Sequence, residues 1–127
     1  MRTGAVIALV LLAAVLMGGT AAESAIGSLS DQYVGAAEEL RILAADGEWQ
    51  RAEAALEAYQ HRWDQARRWL ELVIQQAGID DITLALDRLD VAIRQQDASL
   101  CGVTCTELRQ CAESLRRRET LSAGSLL

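Results

Sequence analysis

The chain has 127 residues, a net charge of -6 at neutral pH, and no proline or phenylalanine. That length holds one domain, and the acidic balance argues against nucleic acid or a strongly anionic membrane surface as partner. Lysine and asparagine are absent too, so every basic charge is an arginine.

The first segment bears on location. Thr3 to Ala22 contains no charged residue, Ala5 to Met17 is apolar throughout, and Arg2 precedes the run. About 20 residues is what a bilayer core requires, while a shorter apolar run followed by small residues fits a secretory signal. A retained signal-anchor over residues 1–22 is the first reading; cleavage after Ala22, giving a secreted protein, is the second. In either case residues 23–127 are expected outside the cytoplasm, because Arg2 tends to stay on the inner side.

A small, polar stretch, Gly27-Ser28-Leu29-Ser30-Asp31, suggests a break in which Ser30 or Asp31 caps the next helix. Tyr33, Ala37, Leu40, Leu43 and Ala44 share a face there, and Asp46-Gly47 marks its end. This predicts a helix over 30–45. The adjacent carboxylates Glu38 and Glu39 point to different sides of it and read as a solvated face.

The longest pattern spans 48–77. Trp49, Leu56, Trp63 and Leu70 recur every seven positions, with Ala52, Tyr59, Ala66 and Val73 between them, a heptad seam that needs partner helices. Asp64 precedes Arg68, and Arg67 precedes Glu71, by four residues, pairs worth ~0.2 to 0.5 kcal/mol each. His61, the only histidine, lies opposite the seam without a second ligand nearby, so it reads as exposed and not metal-binding. Trp69, Leu72 and Ile74 widen the apolar stripe at the far end, where a partner protein or the outer bilayer surface offers cover beyond the chain's own helices.

Ala77-Gly78 reads as the end of this helix, and Asp80-Asp81 as the cap of the next, over 81–96. Ile82, Ala85, Leu86, Leu89, Ala92 and Ile93 form its apolar face, with Asp90 and Arg94 paired outside. After the polar break Gln95-Gln96-Asp97-Ala98-Ser99, a helix over 103–119 places Cys101, Cys105, Leu108, Ala112 and Leu115 on one stripe, flanked by Thr104 and Cys111. Buried thiols explain the cysteines best. A Cys101–Cys105 disulfide would require Gly102 to leave Cys101 outside the helix. Arg116-Arg117-Arg118 reads as a basic last turn opposing the helix dipole, with contact to phospholipid headgroups as the alternative.

The expected fold is therefore all-α: an N-terminal transmembrane or signal-anchor helix, then an antiparallel bundle of about four helices with a long central one. No residue qualifies as catalytic, cofactor-binding or metal-ligating, and no cofactor is expected. The arrangement resembles a family of small bacterial membrane-anchored proteins described only as a domain of unknown function, common in spore-forming Gram-positive bacteria. The resemblance rests on the anchor, Gly47-Glu48-Trp49 with Ala52 and Leu56, Trp63, Trp69-Leu70, Ile79-Asp80-Asp81-Ile82, Leu86, Leu89, Asp97, Glu107-Leu108 and Glu119-Thr120-Leu121-Ser122. It implies one hydrophobic segment followed by a helical extracytoplasmic body, and no activity. Relatives carry a more acidic turn in place of Gln75-Gln76-Ala77-Gly78 and generally lack the three cysteines. The Gly-Glu-Trp hairpin is also similar to tetratricopeptide repeats, yet nothing near Asp81 repeats the Trp49 to Tyr59 pattern, which favours an intramolecular bundle.

Two functions follow as expectations. One is a non-enzymatic, membrane-anchored module binding another envelope or membrane protein through the end around Trp69, Leu72 and Ile74. The other is a thiol-bearing protein acting through redox or covalent chemistry of Cys101, Cys105 or Cys111.

Overall fold

With no proline to remove a backbone donor, the chain forms long helices with short connections. The computed structural model describes the backbone of residues 2–72 and 76–126 and, within these, the side chains of all but 17–23 and 118–126. The described residues are all α: α1 (Arg2–Ala45), α2 (Trp49–Leu70), α3 (Gln76–Arg94) and α4 (Ala98–Leu126).

The first correction concerns α1. The expected break at Gly27–Asp31 is absent, so the apolar N-terminal run and the first body helix are one element of 44 residues. At ~1.5 Å per residue it is roughly 66 Å long. Packing on both sides of Gly27 explains the continuity. Ile26 and Leu29 are buried, the buried Ser30 hydroxyl donates to the Ala112 carbonyl at 2.7 Å, and the Arg116 guanidinium lies against Gly27. Ser30 thus serves the helix interior instead of capping a new one.

The α1 terminus was legible. Gly47 adopts φ 72°, while Glu48 N–H donates to the Leu43 carbonyl at 2.9 Å and Gly47 N–H to the Ala44 carbonyl at 3.1 Å. This is the paired arrangement that closes a helix on a left-handed residue. The same pair recurs after α3, where Asp97 N–H reaches the Ala92 carbonyl at 3.1 Å and Gln96 N–H the Ile93 carbonyl at 3.0 Å. Here the left-handed residue is Gln96, at φ 52°.

The other boundaries shift from expectation. α2 stops at Leu70, the last buried residue of its seam, and Glu71 and Leu72 are exposed. Val73 and Ile74 lie outside the described residues. α3 begins at Gln76 instead of Asp81, so Gly78 is a buried helical residue and not a terminus. Ile79 is fully buried one turn before Ile82, which draws the extra turn into the helix, and Gln76 bridges to Asp80 at 3.1 Å. α4 begins at Ala98 instead of residue 103, because the Asp97 carboxylate accepts from Leu100 N–H at 3.1 Å, an N-terminal cap. Cys101 therefore sits inside the helix, and the three cysteines form no disulfide. α4 also continues to Leu126, so Arg116-Arg117-Arg118 does not occupy a last turn.

Connections of three residues between α1 and α2 and between α3 and α4 force antiparallel neighbours. The core runs through all four helices: Ile26, Tyr33 and Leu40 of α1; Leu56, Trp63 and Leu70 of α2; Ile79, Leu86 and Leu89 of α3; Cys101, Leu108 and Leu115 of α4. Among described side chains no buried polar atom lacks a hydrogen-bond partner.

Candidate functional site

An aromatic cluster fixes the register between helices. Tyr33 is fully buried, its ring meets Trp63 edge-on at 5.4 Å between centroids, and its hydroxyl donates to the Tyr59 carbonyl at 2.8 Å. Trp63 Nε1 donates to the Thr83 hydroxyl at 2.8 Å, which in turn donates to the Ile79 carbonyl at 2.9 Å. Each buried polar tip is satisfied, so the cluster contributes apolar burial without an orphaned donor. The sequence pointed to Trp63 and not to Thr83 or Ser30. Ser30 could have been found from its place on the stripe between Ile26 and Tyr33.

The Tyr59 hydroxyl donates to the Glu39 carboxylate, and Arg62 stacks 5.8 Å from the Tyr59 ring centre. Partial burial and this donation push Tyr59 up to about 12. Glu38 pairs with Arg41 at 2.5 Å, which holds its carboxyl below the usual range. The two carboxylates therefore serve different partners, as expected of a solvated face. His61 is exposed, with Gln65 at 3.4 Å. Among the described residues no group of three or more histidine, cysteine, aspartate or glutamate side chains is placed to hold a metal ion.

The thiols occupy the stripe on α4 expected of them. Cys101 and Cys105 are buried and Cys111 is half-buried. Burial pushes Cys105 up to about 12 and raises Cys101, so thiolate, the reactive form, is scarce at neutral pH.

Two of the uncovered apolar features among the described residues bear on the expected membrane and partner contacts. The first is the start of α1. Leu9, Val10, Leu11 and Leu12 are 56–65% exposed, and four consecutive helical residues point in four directions, so the helix is apolar around its circumference. Among the described residues no helix is long and apolar enough to cross a membrane. The described uncharged run from Thr3 to Leu16 spans ~21 Å against the ~30 Å of a hydrocarbon core; the side chains of Met17 to Ala22, which complete the expected anchor, lie outside the description.

The second feature is the end of α2, where Trp69 is half-buried against the core and Leu72 is 87% exposed. Ile74, the third residue expected there, lies outside the described residues. On α2 near this end Arg67 lies 3.9 Å from Glu71 and Arg68 is exposed, while Arg116 of α4 pairs with Asp31 of α1 at 3.2 Å.

A model of a domain of unknown function (DUF4363) matches residues 21–124, and the chain belongs to that family. The match covers the helical body and leaves the apolar start of α1 outside it. No curated protein and no solved structure matches the chain.

Proposed function

We propose that this member of the family is a non-enzymatic helical module, held by the start of α1 as a single-pass anchor in a bacterial cell membrane, that assists another envelope or membrane protein. One observation carries this reading: an apolar, all-round exposed helix that runs without a break into the packed body. A water-exposed surface of that kind needs cover, and a bilayer covers a helix on every side at once. Arg2 before the run directs the body to the extracytoplasmic side. The buried, weakly acidic thiols favour this reading over redox or covalent chemistry through Cys101 or Cys105.

The test is a pull-down from gently solubilised native membranes through a tag at Leu127, with mass spectrometry of the bait's N-terminus and of its companions. An intact start at Met1 or Arg2 with a reproducible membrane or envelope protein supports the reading. A chain beginning near Glu23, free in the medium and bringing nothing with it, overturns it.

A further inference from the structure

Hydrogen bonds between the helices show which parts of the body lie nearest the apolar start of α1. Tyr33 of α1 is level with Tyr59 of α2 through their 2.8 Å hydrogen bond. α2 runs antiparallel to α1, so Leu72 lies roughly 20 Å closer to the α1 N-terminus at ~1.5 Å per residue. That is the level of about residue 20 of α1, where the uncharged run meets the body. The same reckoning sets Arg67 and Arg68 near residues 25 and 24. On α4, Arg116 lies against Gly27 and Asp31, and the exposed Arg117 follows one residue nearer the anchor.

This order matches the layers of a membrane surface. Uncharged residues of α1 lie deepest, the exposed Leu72 stands near their upper edge, and the half-buried Trp69 and arginines from two helices stand about one turn higher. The headgroup region is about 5 to 8 Å thick on each side of the hydrocarbon, which four or five helical residues span. Tryptophan is favoured at the hydrocarbon edge and arginine at the headgroups above it. Arg67, Arg68, Arg116 and Arg117 share this end with Glu71 and Asp31, which pair with Arg67 and Arg116.

We propose that the bilayer itself covers this end: the α2 terminus, through Trp69 and Leu72, dips into the outer leaflet beside the anchor, while Arg68 and Arg117 meet lipid phosphates. The proposal rests on the anchor reading above. The register of Leu72 with the end of the uncharged run of α1 favours lipid over a protein partner as its cover. The body is then seated on the membrane at two points instead of hanging from one, and its partner-facing surfaces are those turned away from the lipid.

The full chain is reconstituted in vesicles of phosphatidylcholine with about one quarter phosphatidylglycerol, with and without bromine on the upper acyl chain. Of the three tryptophans, Trp63 is buried in the core and Trp49 stands roughly 30 Å from Trp69 along α2, so only Trp69 comes within reach of the bromine. Bromolipid is expected to lower wild-type emission by up to about one third, the share of one tryptophan in three, and to leave Trp69→Phe unchanged. Leu72→Asp, at an exposed site, is expected to weaken the quenching without moving the melt. Resistance to alkaline carbonate reports the anchor separately. A carbonate-resistant protein whose quenching is absent, or the same in Trp69→Phe, overturns the second contact and leaves the anchor standing. A protein extracted by carbonate overturns both.

Discussion

Trp63 shows how one side chain couples three helices. Its ring fills the core between Tyr33 of α1 and α3, and its indole N–H is held by Thr83. Truncation to alanine removes a large buried surface and leaves the Thr83 hydroxyl without its indole partner, so Trp63→Ala is expected to cost ~3–5 kcal/mol in denaturant unfolding of the detergent-solubilised chain. An unchanged unfolding midpoint would refute the coupling assigned to Trp63. The thiols and phenols make a second residue-scale prediction. Burial lifts Cys105 from 9.0 to about 12, and Tyr59 rises from 10.0 to about 12. In each case the folded state keeps a proton that the unfolded chain releases. Their contribution to stability is therefore complete below the ordinary thiol value and is lost progressively as pH rises from about 9 toward about 12. Unfolding midpoints measured between about pH 8 and about pH 11 should fall; a flat profile contradicts the burial described. In the same titrations Cys111 should react first with a thiol reagent, with Cys101 and Cys105 following only on unfolding.

At the scale of elements, helix ends depend on what the flanking side chains can bury. Gln96 holds a left-handed conformation that glycine adopts without steric penalty. Gln96→Gly should therefore stabilise the protein by about 1 kcal/mol, whereas Gly47→Ala should destabilise it by a similar amount. Gly35 is the opposite case: it lies inside α1, is exposed and has open space where a β-carbon would stand. Gly35→Ala is expected to add about 0.5 to 1 kcal/mol. Thermal melts of the three variants check the signs, and a stabilised Gly47→Ala would contradict the geometry assigned to that turn. The seams themselves were legible in the sequence, since Leu56, Trp63 and Leu70 on α2 and Ile82 to Ile93 on α3 fell on the buried faces expected. The boundaries were less so. Gly27, Gly78 and Gly102 read as punctuation, but a glycine only permits a helix to end. Where Ile26, Ile79 and Cys101 beside them reach the core, the helix continues through. The pairing of Arg116 with Asp31 joins segments 85 residues apart, and only the register of α1 against α4 shows it.

At the scale of the molecule, α1 is both the element that leaves the body and one wall of its core, so under the proposed anchor any movement of the membrane segment would be transmitted to the bundle through a single helix. Ser30 against Ala112 and Asp31 against Arg116 tie the lower body to α4 at that junction. The continuous helix distinguishes this arrangement from a domain on a flexible tether. The most direct test of the anchored, extracytoplasmic arrangement is protease treatment of intact spheroplasts carrying the full chain with an epitope after Leu127, followed by carbonate extraction. The epitope should disappear on adding protease outside, while a short N-terminal fragment stays in the carbonate-washed membrane. An epitope that survives until the membrane is broken, or a chain released whole into the supernatant, contradicts it.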